Sequence, residues 1–243
     1  MEIKIPTLLE MLKAGMHFGH KKSKRHPKME EYIYTTRAGI NIIDLNQTID
    51  KLKKILEEVK EFSSKGKKII FVGTKKQAQK IVKKYAIECE MPYVINRWIG
   101  GAFTNFSVFS KNIKEYIDLK KKLTSGELDK YTKKERLLVK RKIDKLEEMV
   151  GGLVSLTNLP DGMFVVDIKK DKIAVKEAVK MNIPVFAICD TNCNPKDIKW
   201  MIPSNDDAVK SIELVIRSIA EAIKEGKIDK TSETKKVDIN QSK

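Results

Sequence analysis

K-I-I-F-V-G-T-K-K-Q, residues 68–77, decides the fold. Lys68–Val72 is apolar and β-branched, too short for a buried helix, and Gly73 closes it. An amphipathic stretch, Lys75–Glu88, follows at once. A short apolar run, a glycine turn and an amphipathic helix make the repeating unit of a parallel sheet covered by helices. The unit recurs: Met163–Val166 (M-F-V-V) precedes a helix expected at Lys172–Met181, and Pro184–Ile188 (P-V-F-A-I) follows it. Further helices are expected at Thr7–Ala14, Gln47–Ser63 and Asp206–Glu225. Further strands are expected near Tyr32–Thr35, Ile40–Asp44, Tyr93–Ile95 and Trp200–Ile202. The predicted class is α/β, a parallel sheet flanked by helices.

Between residues 104 and 150 the strand signal stops, and charge alternates with apolar residues at helical spacing. Ile113, Tyr116, Ile117 and Leu123 mark one stripe; Leu138, Ile143, Leu146 and Val150 mark another. Thr124-Ser125-Gly126 ends the first helix, and Thr132 with Glu135 forms a capping box for the second. An inserted antiparallel coiled-coil hairpin is expected. The organisation is then residues 1–103 plus 151–227 as the α/β domain, 104–150 as the hairpin and 228–243 as a mobile polar tail.

The chain has 243 residues and a formal net charge of +16, from 49 Lys and Arg against 33 Asp and Glu. The excess is uneven: +4 over residues 1–30, +8 over 51–97 and +5 over 111–148, but zero over 157–210. A polyanion-facing surface is therefore expected from the first two thirds of the chain. Its densest part is His17–Lys28, H-F-G-H-K-K-S-K-R-H-P-K, which holds all three histidines and no carboxylate. Clustered Lys and Arg release counterions from phosphates and bind polyanions irrespective of sequence. A solvated basic loop has the same composition.

Three cysteines at irregular spacing, Cys89, Cys189 and Cys193, suit buried thiols in a reducing, cytoplasmic compartment. No apolar run approaches bilayer length, so no membrane partner is expected. The first residues lack a basic region followed by an apolar core, so no secretory signal is expected.

Catalytic signals are weak. Gly73–Lys76 stands at a strand–helix junction where phosphate can bind, which keeps a nucleotide-binding Rossmann-like enzyme as the alternative. It matches neither G-x-G-x-x-G nor the Walker pattern, and Thr74 with Gln77 reads first as an ordinary capping box. The histidines have no orienting carboxylate nearby in sequence. Asp190, Asp206 and Asp207 can hold a cation, but helix capping is the simpler reading for Asp206 and Asp207. In Asn96–Asn105, N-R-W-I-G-G-A-F-T-N, Trp98 and Phe103 are expected to pack the hairpin base, with Thr104 or Asn105 capping its first helix. Arg97 reads either way.

Four stretches taken together resemble the bacterial-type small-subunit ribosomal protein S-two family. They are L-K-A-G-M-H-F-G-H with P-K-M (Leu12–Met29), F-V-G-T-K (Phe71–Lys75), Asn96–Asn105, and I-P-V-F-A-I-C-D-T-N-C-N-P with I-P-S-N-D-D-A (Ile183–Ala208). The resemblance covers roughly residues 4–226. It implies a flavodoxin-like, Rossmann-type sheet with a coiled-coil insertion, no catalysis, no cofactor and no small-molecule substrate. It also implies a place on the small ribosomal subunit between head and body, with small-subunit ribosomal RNA and other small-subunit proteins as partners, ribosomal protein S-one among them. The family's motifs fall on His17, Gly19, His20, Pro27 and Lys28, and on Arg97, Trp98, Gly100, Gly101, Thr104 and Asn105. His26 stands where the family commonly has Asn. The candidate RNA-binding residues are His17, His20, Lys21, Lys22, Lys24, Arg25 and Lys28, then Lys75, Lys76 and Arg97. No metal ligand is expected.

Overall fold

The computed structural model describes residues 5–241, without the side chain of 129 or those from 229 onward. Its centre is a five-stranded parallel sheet of β4 (Ile69–Val72), β5 (Tyr93–Val94), β6 (Gly162–Val165), β7 (Val185–Cys189) and β8 (Trp200–Pro203), in the order β5-β4-β6-β7-β8. This is the flavodoxin-like order, in which the chain reverses direction across the sheet between β4 and β6.

The inner strands β4, β6 and β7 are buried on both faces, and the two-residue period divides their side chains between two cores. Ile69, Phe71, Phe164, Phe186 and Ile188 enter one core with α2 (Leu45–Ser64), α3 (Lys76–Glu88) and α7 (Val209–Gln241). Ile70, Val72, Met163, Val165, Val185 and Ala187 enter the other with α6 (Lys172–Lys180) and the hairpin base. At roughly 1.5–3 kcal/mol for each large apolar side chain, these two layers supply most of the drive to fold.

The hairpin helices are α4 (Phe106–Thr124) and α5 (Lys133–Val150), inserted between β5 and β6. The Thr132–Glu135 capping box forms as expected, with the Glu135 amide donating to Thr132 Oγ1. Phe109, Ile113, Tyr116, Ile143, Leu146 and Val150 are buried near the base, whereas Leu123 and Leu138, read as parts of the apolar stripes, are 46% and 55% exposed. Gly152 makes the junction with the sheet edge possible, because a Cβ there would stand 2.3 Å from the Tyr93 carbonyl oxygen.

Two elements escape the sequence pattern. Phe18–Lys21 is a strand, β1, which joins β2 (Ile33–Arg37) and β3 (Ile40–Ile43) in a separate antiparallel sheet ordered β1-β3-β2. The helix expected at Thr7–Ala14 forms as α1 (Leu8–Ala14) and precedes it. The final helix also continues from the expected end at Glu225 to Gln241, across the stretch read as a polar tail. Residues 242 and 243 of that stretch lie outside the described residues.

Candidate nucleic-acid interface

The small sheet is fastened onto the loops at the carboxyl ends of the parallel strands. The His20 amide donates to Thr191 Oγ1 at 2.9 Å, the His26 amide to the Thr191 carbonyl at 2.8 Å, and Asn205 Nδ2 to the Gly15 carbonyl at 3.1 Å. Only glycine fits at position 19, since a Cβ would meet the Thr191 side chain at 2.6 Å. These contacts lay His17–Lys28 across the strand ends, where parallel α/β folds place their sites.

Beneath the run lies a charged cluster assembled from four strand ends. Lys75 follows β4, Asp167 follows β6, Asp190 follows β7, and Asp206 and Asp207 follow β8. The Lys75 ammonium lies 2.6 Å from Asp207, 2.8 Å from Asp206 and 3.5 Å from Asp167. Burial works against that charge, but Asp206 and Asp207 outweigh it and raise the Lys75 pKa well above the ordinary lysine value. Burial, together with Asp167 and Asp190, pushes Asp206 up to about 7 despite Lys75. His20 joins from β1, with Nδ1 3.1 Å from Asp190 and Nε2 3.5 Å from Asp207.

Lys75 is turned into the fold and neutralised, so it is not a phosphate contact. His20 has an orienting carboxylate after all, supplied by Asp190 from 170 positions along the chain. Asp206 and Asp207 do not cap α7: Asn205 Oδ1 accepts from the Asp207 and Ala208 amides instead. Thr74 forms no box with Gln77; its hydroxyl donates to Asp171 at 2.8 Å, and α3 starts from Lys75 without a side-chain cap. Ligand atoms of His20, Asp190, Asp206 and Asp207 lie within 4.8 Å of one another, in the spacing of a divalent-cation site, but the Lys75 ammonium supplies the positive charge there.

The Asp190 hydrogen bond raises the His20 pKa above 6.5; burial opposes this, and the neighbouring carboxylates add to the rise. A raised histidine pKa stabilises the fold below 6.5, and that contribution is lost as pH climbs through the folded-state value. Histidine resonances followed by NMR should show His20 titrating above 6.5, and Asp190→Asn should bring it down. A wild-type midpoint at or below 6.5 would mean that Asp190 does not hold the ring.

The remaining candidates face outward. Lys21, Lys22, Lys24, Lys28, Lys76 and Arg97 are exposed, and among the described residues no carboxylate lies within 4.0 Å of their charged groups. Arg25 is paired with Glu30 at 3.0 Å. His17 is half-buried and stacks obliquely on Phe18, and burial lowers its pKa. His26 takes a turn-supporting role: its Nδ1 accepts from the Lys28 amide at 3.2 Å and starts the 3-10 turn Pro27–Tyr32.

The Asn96–Asn105 passage is held by a residue that the sequence reading missed. Glu177, buried on α6, accepts from the Gly101 amide at 2.7 Å, the Phe103 amide at 2.9 Å, the Thr104 amide at 3.3 Å and Trp98 Nε1 at 3.4 Å. Burial opposes its ionisation, yet these donors hold its carboxyl below the usual value. Trp98 and Phe103 pack edge to face at 4.8 Å, the structural role expected of them. Asn105 occupies the cap position of α4 but makes no side-chain cap bond, and Thr104 is committed to Glu177. Glu177 falls in register with Ala174 and Ala178 on the apolar side of α6, and a carboxylate on such a face is the one signal that marks it.

Against this geometry, residues 11–226 match the model of the family described as Ribosomal protein S2. The chain belongs to the ribosomal protein S2 family. It is 47% identical over 220 residues to the small ribosomal subunit protein uS2 of Salinibacter ruber, covering 90% of this chain and 69% of that one. It is 44% identical over 220 residues to the uS2 of Chlorobaculum tepidum (90% and 88% covered), and 46% identical over 224 residues to that of Parabacteroides distasonis (92% and 81%). For an S2 protein the crevice between β4 and β6 carries a clear meaning. Gly73 is there for packing, since a Cβ would meet Val82 at 2.6 Å, while Asp171 holds Thr74 and three carboxylates surround Lys75. Lys75 and the Thr74 hydroxyl are thus committed to the fold rather than offered to a nucleotide phosphate.

Proposed function

We propose that the chain docks on small-subunit ribosomal RNA between head and body, through the basic run Lys21–Lys28. As a member of the S2 family it is a structural protein of the small ribosomal subunit, not an enzyme, and it works in the cytoplasm on the ribosome. No helix among the described residues is long and apolar enough to cross a membrane.

One observation carries the RNA reading: the fold separates its lysines into two groups. Lys75 is neutralised by the carboxylates around it, whereas Lys21, Lys22, Lys24 and Lys28 stand exposed with no acidic partner within 4.0 Å among the described residues. Such a row is costly to leave side by side unless phosphates neutralise it. Lys76 and Arg97 are second-rank contacts, and His17 and His20 support the run from beneath. Lysine–phosphate contacts of this kind recognise RNA by shape and phosphate position. Replacing Lys22, Lys24 and Arg25 together by Ala should flatten the slope of log affinity against log salt by roughly 2–3 units. An unchanged slope would remove the run from the RNA surface.

A second surface fits a protein partner. Phe18, Tyr34 and Ile40, 48%, 77% and 37% exposed, border a hollow of about 560 Å³ completed by His17, Arg37 and Ile42. Exposed aromatic rings around a concave apolar surface suit an inserted side chain of another protein. Among the family's partners, a segment of ribosomal protein S-one is our assignment for it.

A further inference from the structure

The segment 157–210 is electrically neutral in sum, but the fold does not use its charges evenly. Its acids Asp167, Asp190 and Asp206 are drawn inward to Lys75 and His20, and the half-exposed Asp207 pairs with both. Two of its lysines, Lys196 and Lys199, are left on the exposed loop between β7 and β8. The hydrogen bond from the His26 amide to Thr191 brings that loop against the basic run. Between the two opens a hollow of about 720 Å³, with Lys28, Lys51, Lys196 and Lys199 on its walls and Ile198 and Met201 buried beneath.

The hollow also contains Glu30 and Glu31, and both are engaged. Glu30 pairs with Arg25 at 3.0 Å, and Glu31 lies against the Tyr32 hydroxyl. The lysines are arranged differently: among the described residues none of the four has a carboxylate within 4.0 Å. Two of them are steered by aromatic rings instead. Lys51 Nζ stands 5.0 Å from the Tyr32 ring centre and Lys199 Nζ 5.0 Å from that of Trp200. A cation over a ring is oriented without being neutralised, so these ammonium groups keep their full charge for a ligand.

We infer that this hollow is a second phosphate-binding surface for the small-subunit ribosomal RNA, with Lys51, Lys196 and Lys199 contacting the backbone beyond the reach of the amino-terminal run. The inference rests on the RNA reading of that run. Continuity argues for RNA as the occupant: Pro27 and Lys28 belong both to the run and to the wall of the hollow, so one backbone can follow both. It also extends the basic surface into the last third of the chain, where summed charge conceals it.

The test is a salt titration of binding between the full chain and transcribed small-subunit ribosomal RNA, with the wild type and three variants compared. Lys51→Ala/Lys196→Ala/Lys199→Ala should flatten the slope of log affinity against log salt by roughly 2–3 units, with unchanged thermal unfolding. The Arg triple, K51R/K196R/K199R, should restore the slope. If the hollow triple keeps the wild-type slope while Lys22→Ala/Lys24→Ala/Arg25→Ala loses its own, the inference fails and the RNA reading stands; an acidic protein segment in the hollow would give this result. If neither triple changes the slope, the RNA reading falls and the inference with it.

Discussion

Glu177→Ala should lower the stability of the protein by about 3–5 kcal/mol, measured by urea unfolding, because it leaves several inward-facing donors without an acceptor. Phe103 is 2% exposed and Trp98 6%, so water cannot replace the carboxylate at their N–H groups. The Gly101 and Thr104 amides lose the same partner. Glu177→Gln keeps one carbonyl oxygen but gives up the charge and adds two donors, so about half of the loss should remain. Trp98 fluorescence reports on the same contact and should shift in both variants. A cost under about 1 kcal/mol for the alanine variant would mean that the passage holds its shape without Glu177.

Lys75→Met should cost about 3 kcal/mol near pH 7.5, since it removes the cation from among Asp167, Asp206 and Asp207 and leaves like charges facing one another. The deficit should depend on pH. Asp206 is already held up at about 7 in the intact protein, so the folded state binds a proton that the unfolded chain has released. A carboxyl raised in this way adds stability at low pH, and the contribution declines as pH rises from its unfolded value near 4 through its folded value. Without Lys75 the folded value moves higher still, and His20 becomes protonated over the same range. The variant should therefore recover much of its loss at pH 5.5. An equal deficit at both pH values would contradict the assignment of the cost to carboxylate repulsion.

The parts of the fold that sequence revealed are those whose signal is local. Ile69–Val72, Gly162–Val165 and Val185–Cys189 are continuous apolar runs because both sheet faces are covered, and Thr132 with Glu135 marks a helix start within four residues. Phe18–Lys21 gave no such signal: it contains a glycine and a lysine, and it becomes a strand through contacts with Ile40, Ile42 and Thr191. The charged cluster was legible as residues but not as a site. Asp190, Asp206 and Asp207 read together as possible cation ligands and His20 and Lys75 apart from them as RNA contacts, yet only the strand order brings all five within reach of one another. The same assembly turned Lys75 from a candidate RNA contact into a structural ion, and exposed Lys196 and Lys199 in a stretch whose charges cancel on paper.

RNA docking requires the basic run to lie against RNA in the assembled particle. A photo-crosslinking amino acid placed at Lys22 tests this directly, with the full chain incorporated into small ribosomal subunits, irradiated, and its adducts separated into RNA and protein. Adducts on small-subunit ribosomal RNA are the predicted result. Adducts confined to protein, or none from particles that contain the chain, would contradict it.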